Sequence, residues 1–266
     1  MSDSRNIIGV LDSGVGGLSV LRAIRSLLPA QPAIYVGDQA HVPYGTRQLE
    51  EVREFTHEIV RFLLDQGARL IVVACNTASV AALTSLRQAY PHIPFVGMEP
   101  AVKPAAEQTH SGTVGVLATA ATFQTKMYAS VVERFAQGVK ILEDPCIGLV
   151  PQIEKGNLEG DETRRILESV LRPMLDQGID TIVMGCTHYP FVIPLIQTIT
   201  GPNVRVIDPA PAIARQVKRM LELNEILNPG DSIAPCLLYT SDAADDLLCV
   251  DLGGRRIIKK KKHLNK

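Results

Sequence analysis

Leu63-Leu-Asp-Gln-Gly-Ala-Arg-Leu-Ile-Val-Val-Ala-Cys-Asn-Thr77 is answered 111 residues later by Met174-Leu-Asp-Gln-Gly-Ile-Asp-Thr-Ile-Val-Met-Gly-Cys-Thr-His188. Asp-Gln-Gly and Ile-Val recur letter for letter, and Cys75 and Cys186 occupy the same place in each copy. A repeat of this length marks a duplicated structural unit. It predicts two similar halves facing a common cleft, with one thiol on each wall. Such a pair of thiols is suited to moving protons on both faces of one carbon.

Outward from these segments the chain alternates strand and helix signals. Apolar runs predict strands over 7–11, 33–36, 70–74 and 95–97 in the first half, and over 114–117, 181–184 and 204–207 in the second. Amphipathic stretches predict helices over 18–28, 49–64, 78–89, 163–175 and 210–223. Val114-Gly-Val-Leu-Ala-Thr119 echoes Ile8-Gly-Val-Leu-Asp-Ser13, so the repeat reaches beyond the cysteine segments. Short apolar strands separated by helices predict parallel sheets covered on both faces. The expected fold is α/β: two similar domains of mostly parallel sheet flanked by helices, related by pseudo-twofold symmetry, with the active site in the cleft between them. Residues 1–98 plus 209–235 are assigned to the first domain and 99–208 to the second. Ligands of open α/β sheets sit beyond the carboxyl ends of the strands. Asp12, Cys75, Thr119 and Cys186 all fall at such ends.

Composition narrows the function classes. The 266 residues are 46% hydrophobic with a mean hydropathy of +0.12, enough for a packed core. Aromatic residues make up 5% and Trp is absent, which argues against a base-stacking nucleic-acid surface. The formal net charge of −1 offers no footprint for nucleic acid or an anionic membrane. The first apolar run is interrupted at Asp12, so no signal peptide is expected, and no run approaches a membrane span. The expected location is the cytoplasm, where thiols stay reduced.

From Cys236 the text changes character, through Cys236-Leu-Leu-Tyr-Thr-Ser241 to Val250–Ile258 and four lysines at 259–262. The first six residues can be encoded by TGTCTCTTATACACATCT, which resembles the end of a transposase-based sequencing adapter, and 250–258 resemble its far end. Residues 236–266 are therefore expected to be a translated adapter tail, and the native strand and helix that would complete the first domain are expected to be missing. Subtracting the tail's 7 basic and 4 acidic residues from the chain's 27 and 28 leaves 20 against 24. Setting aside Cys236 and Cys249 leaves three native cysteines, Cys75, Cys146 and Cys186.

Each candidate group has a bland reading beside its chemical one. Cys146 reads as plain core, since cysteine is among the most buried residue types. Cys75 and Cys186 sit at strand-to-helix turns, where nearby amides are expected to favour the thiolate and lower the pKa. Zinc is a rival use of Cys75, Cys186 and His188, but no CxxC or HxxxH spacing supports it and no metal is expected. His188 shares a turn with Cys186 and could exchange protons with it. His41, His57, His92 and His110 lack such company and are expected to face solvent. Asp12 is either a helix N-cap or a carboxylate serving the site. Gly14-Val15-Gly16-Gly17 lacks the full GxGxxG or GK[ST] signature, so nucleotide binding is weakly supported.

Asp12-Ser13-Gly14-Val15-Gly16-Gly17, Pro43-Tyr44-Gly45, Ala74-Cys75-Asn76-Thr77-Ala78, Gly97-Met98-Glu99-Pro100, Gly185-Cys186-Thr187-His188-Tyr189-Pro190 and Ile207-Asp208-Pro209 occur in this order. Together they resemble the glutamate racemases, over essentially all of residues 7–235. The resemblance implies a cofactor-independent two-base enzyme that interconverts L- and D-glutamate for peptidoglycan synthesis. It implies that Cys75 serves D-glutamate and Cys186 serves L-glutamate, with Asp12 and His188 as their auxiliary acid/base groups. It also implies that Ser13, Tyr44, Gly45, Asn76, Thr77 and Thr187 hold the substrate, with Thr119 and Thr122 in support and Glu154 orienting His188. No cofactor, metal, nucleic acid or membrane partner is implied, and a homodimer is left open.

Two other readings stay alongside. One is a racemase for aspartate or another acidic amino acid, although aspartate racemases typically carry Glu where His188 stands. The other is an inactive interaction protein that lost catalysis by truncation.

Overall fold

The structure is a computed structural model that describes residues 6–230 and 232–241, together with the backbone of 248–251. The Cys249 side chain and the lysine run at 259–262 lie outside the described residues.

The first half contains β1 (Ile7–Asp12), α1 (Leu18–Leu27), β2 (Ala33–Gly37), α2 (Leu49–Asp65), β3 (Ala68–Val73), α3 (Asn76–Ala89) and β4 (Phe95–Gly97). The second contains α4 (Val102–Gln108), β5 (Thr113–Ala118), α5 (Ala120–Phe123), α6 (Lys126–Phe135), β6 (Lys140–Asp144), α7 (Leu149–Glu154), α8 (Asp161–Asp176), β7 (Thr181–Gly185), α9 (Ile193–Thr200) and β8 (Arg205–Ile207). The chain then adds α10 (Ala210–Leu223), β9 (Cys236–Thr240) and β10 (Leu248–Asp251).

These strands build two sheets, ordered β10-β9-β2-β1-β3-β4 and β6-β5-β7-β8. All pairs are parallel except β9–β10. The order β2-β1-β3-β4 is repeated as β6-β5-β7-β8, so the sequence echo is a repeat of topology. Central strands of a parallel sheet are covered on both faces and read as unbroken apolar runs. Accordingly, every residue of β5 and β7 is buried. Two apolar clusters sandwich each sheet. On the first, Ile8, Val10, Leu70 and Val72 pack against α1 and α10, while Leu11, Ile71 and Val73 pack against α2 and α3. On the second, Ile182 and Met184 face α8 and α9, while Val114, Val116 and Val183 face α4 and α6. Val217 and Leu221 of α10 thus return the chain to the first sheet.

Helices α4, α5, α6, α7 and α9 were not among the expected elements, and the sheets differ from the sequence expectation at two edges. β6 was not expected, because Lys140-Ile-Leu-Glu-Asp144 carries charge at both ends and only partly buries its apolar pair at the sheet edge. At the other extreme, Cys236–Thr240 adds a parallel strand to β2, where the sequence reading ends the first sheet. Its alternation explains why: Cys236 and Leu238 join one cluster, Leu237 and Tyr239 the other. Among the described residues, no helix is long and apolar enough to cross a membrane.

Candidate active site

Cys75 stands one residue beyond Ala74, whose N–H donates to the Leu11 carbonyl and locks the end of β3 against β1. The backbone of Cys75 is extended, and its sulfur accepts the Ala78 N–H at 3.5 Å as the N-cap of α3. This explains why α3 begins at Asn76, two residues earlier than its periodicity predicts. The Cys75 Sγ lies 3.8 Å from the Ser13 Oγ. The expected lowering of this thiol's pKa is reversed. Burial and the charge of Asp12 push it up to about 12, outweighing the Ala78 amide and the Ser13 hydroxyl. Desolvation disfavours the anion more than one helix terminus favours it.

On the opposite wall β7 ends at Gly185, and Cys186 leads into a short 3-10 turn, Tyr189–Val192. The Cys186 Sγ is 3.9 Å from His188 Nδ1. His188 Nε2 is 2.5 Å from Glu154 Oε1 at the end of α7. Glu154 crosses the cleft as well: Oε1 accepts the Val15 N–H at 2.9 Å, and Oε2 accepts from Gln39 Nε2 at 3.0 Å. Burial opposes the imidazolium, but the hydrogen bonds to Cys186 and Glu154 and the charges of Cys186 and Asp12 overcome it, raising the His188 pKa to about 10. Burial likewise opposes the Glu154 carboxylate, and the bonds from His188, Val15 and Gln39 overcome it, holding its pKa below the usual value. His188 is therefore a buried cation in contact with sulfur.

Asp12 joins the walls. Its Oδ2 accepts the Gly14 N–H at 3.0 Å and its Oδ1 accepts the Thr187 hydroxyl at 2.9 Å. The N-cap of α1 is Gly17, with no side-chain cap bond, so the N-cap reading of Asp12 gives way to a bridging one. Full burial raises its pKa, although His188 and the Gly14, Thr187 and Gly17 bonds pull the other way. The glycine turn exists for this closeness: a Cβ at Gly16 would stand 2.5 Å from His188 Nδ1 and 2.6 Å from Thr187 Oγ1. Gly45 meets the other side of the cleft in the same way, with Thr119 Cγ2 2.7 Å from where its Cβ would be.

Ser13, Tyr44, Gly45, Cys75, Asn76, Thr77, Thr119, Cys186, Thr187 and His188 all line one cavity. Asp12, Thr122 and Glu154 stand behind that lining. Thr77 and Thr119 touch across the cleft at 3.0 Å, and Thr122 supports Thr119 at 2.9 Å. The Tyr44 hydroxyl donates to Asp38 Oδ2 at 2.6 Å. Asn76 is different: it is buried, and neither Oδ1 nor Nδ2 has a hydrogen-bond partner. A buried amide left unpaired is costly unless a ligand satisfies it. The space between the walls is narrow, with a cavity volume of about 10 Å³. Among the described residues, no three His, Cys, Asp or Glu side chains are grouped so as to hold a metal ion.

The remaining candidates fall elsewhere. Cys146 is buried, its N–H bonded to Asp144 Oδ1 at 2.7 Å. His92 and His110 are exposed. His41 and His57 are half-buried and partnered: His41 bonds Asp38 at 2.9 Å and stacks on Phe55, and His57 is 2.8 Å from the Ser85 hydroxyl. Three supporting residues escaped the sequence reading. Gln39 orients Glu154. Asp38 holds Tyr44, and its place just past β2 is the same strand-end signal that singled out Asp12. Tyr35, hidden inside the apolar run of β2, donates to the Gly14 carbonyl at 2.5 Å.

Comparison with known proteins gives this geometry a lineage. Residues 8–217 match the family described as Asp/Glu/Hydantoin racemase. The glutamate racemase of Pseudomonas paraeruginosa is 51% identical over 228 residues, covering 86% of each chain. A glutamate racemase isoform from Bacillus anthracis superposes with a TM-score of 0.81 at 33% identity, covering 90% of both chains. Escherichia coli glutamate racemase, solved with L-glutamate and the activator UDP-MurNAc-Ala, does so with a TM-score of 0.79 at 35% identity, again covering 90% of both. The chain belongs to the Asp/Glu/Hydantoin racemase family and, within it, to the glutamate racemases.

Proposed function

We propose that this chain interconverts L- and D-glutamate without a cofactor, using Cys75 and Cys186 as the two bases. The observation that carries the reading is one cavity lined by two buried thiols on opposite walls, Cys75 beside Ser13 and within the field of Asp12, Cys186 beside His188. From D-glutamate, Cys75 as thiolate takes the α-proton: the Cα–H bond breaks, an S–H bond forms, and the electron pair stays on the substrate. Cys186 as thiol then gives its proton to the opposite face, leaving L-glutamate and a Cys186 thiolate. The reverse reaction exchanges the roles. Asp12 is the auxiliary group on the Cys75 side and His188 on the Cys186 side, with Glu154 orienting the imidazole.

A general base typically contributes ~10²–10⁴-fold, and the rest is assigned to preorganised charge around the carbanion. Ser13, Tyr44, Gly45, Asn76, Thr77 and Thr187 hold the substrate in this reading, with Thr119 and Thr122 behind them. The unpaired Asn76 amide and the α3 N-terminus suit a carboxylate. A bound substrate ammonium would offset the Asp12 charge that helps hold the Cys75 thiol up.

The product serves peptidoglycan synthesis in the cytoplasm, and the enzyme assembles as a homodimer, which light scattering on the purified chain tests. The domains are 1–98 with 209–235, and 99–208. Residues 236–266 derive from a sequencing adapter, which the intact gene sequence tests. Incubation with D-glutamate and D-aspartate in heavy water tests the activity itself. Deuterium at the α-carbon of glutamate alone supports the proposal. Exchange into aspartate favours a different acidic substrate, and exchange into neither by a folded chain favours an interaction protein.

A further inference from the structure

The stretch that reads as foreign text in the sequence begins inside the support of the active site. β9 pairs in register with β2, from Cys236 beside Ala33 to Thr240 beside Gly37. The next residue, Ser241, continues this contact by donating its N–H to the Gly37 carbonyl at 3.1 Å. Its hydroxyl then donates to Asp38 Oδ1 at 2.5 Å and accepts the Ala40 N–H at 3.3 Å.

Asp38 is buried, and it gathers the loop that forms one wall of the cavity. Its Oδ2 accepts the Tyr44 hydroxyl at 2.6 Å, and both its oxygens lie 2.9 Å from His41 Nδ1. Its own N–H donates to the Asp12 carbonyl at 3.0 Å. Arg47 Nε closes the far end of the loop on the His41 carbonyl at 2.6 Å. Pro43, Tyr44 and Gly45 of this loop line the cavity, and Gly45 abuts Thr119 of the opposite wall. A buried carboxylate keeps its orientation only while its oxygens are satisfied. Ser241 supplies one of the few donors that reach Oδ1.

We infer that Ser241 is a positioning residue for the reaction: through Asp38 it fixes the 38–47 loop and so the Tyr44–Gly45 side of the substrate cavity. The inference rests on the racemase reading for its kinetic consequence, but not for its structural one. It also gives the 236–241 segment a working role whatever its coding origin.

The full chain carrying Ser241→Ala, with Ser241→Thr as the hydroxyl-restoring control, tests it by glutamate kinetics and by amide hydrogen exchange across the molecule. The expected result is a KM raised about 3- to 10-fold, because only part of the free energy of one hydrogen bond to a charged group reaches the substrate through Asp38, with kcat changed less than about twofold. Faster exchange should be confined to peptides covering 38–47, and Ser241→Thr should restore both readouts. Unchanged KM and loop exchange would overturn the inference. So would exchange that rises evenly over both sheets, or a Ser241→Ala chain that fails to fold while Ser241→Thr folds, since either means a purely structural role. If the wild-type chain lacks racemase activity, the proposed function fails, while the exchange pattern still decides whether Ser241 holds the loop.

Discussion

At the Cys75 wall the sulfur caps a fourteen-residue helix and faces a serine hydroxyl, with the buried Asp12 carboxylate close by. At the Cys186 wall the same strand position leads into a short 3-10 turn, and the sulfur faces an imidazole anchored by Glu154. The scaffolds are repeats, down to the strand order. The groups that handle charge are not. The repeat places two thiols on facing walls; Asp12, whose counterpart in the second copy is Ala118, gives one wall a carboxylate, and His188, two residues after Cys186, gives the other a buried cation. Symmetric geometry with asymmetric acid/base partners suits a reaction whose two products are mirror images but whose protein is not.

The largest effect should come from removing either sulfur. Cys75→Ala and Cys186→Ala are each expected to lower kcat for glutamate at least ~10³-fold with the fold retained, as checked by polarimetry and circular dichroism. Retained activity in one of them would break the two-wall account. A smaller but more discriminating effect is expected from His188→Asn, about 10²-fold in kcat. Because the enantiomers are equally stable, kcat/KM must fall equally in both directions. The difference between walls should instead show in isotope effects. α-Deuterated L-glutamate, whose deuteron goes to Cys186, should show a larger isotope effect in His188→Asn than in the wild type.

The pH dependence sharpens the same contrast. With a pKa near 10, His188 carries its proton through neutrality and loses it in the alkaline range. Activity is expected to fall along an alkaline limb near that value. Glu154→Gln removes a negative partner, so His188 should release its proton more easily and the limb should move to lower pH. The stability signs follow from the same shifts. His188 has a raised folded-state pKa, so its contribution is full below about 6.5 and is lost as pH rises through about 10. Glu154 has a depressed one, so its contribution is present above about 4.5 and is lost as pH falls through the folded value. Thermal melts of wild type and Glu154→Gln should therefore differ most between these limits. The smallest effect is steric. Gly16→Ala should destabilise by about 1–3 kcal/mol, because its Cβ would press on His188 and Thr187, and denaturant unfolding measures it.

The sheets were legible in the sequence because buried parallel strands announce themselves as apolar runs, and the thiols because the repeat aligned them. β6 was hidden by the charges at its ends, although the repeat itself implied a counterpart to β2 between 114 and 181. The direction of the Cys75 shift was not legible, since it depends on how completely the two halves exclude water from the sulfur. Glu154 and Gln39 lie 115 residues apart, and Asp38 and Ser241 lie 203 apart. Partnerships across such distances leave no local pattern to read. Asn76 shows the converse: its place beside the cysteine was legible, but its unpaired amide appears only in the folded chain.

The central claim is that two different sulfurs serve opposite faces of one carbon. Initial-rate racemisation of unlabelled D-glutamate in heavy water tests it most directly, with deuterium read separately in product and in recovered substrate. Two bases predict L-glutamate carrying one α-deuterium from the first turnovers, while recovered D-glutamate remains unlabelled. Deuterium entering recovered D-glutamate as fast as it enters the product would mean that a single base serves both faces, and would contradict the account.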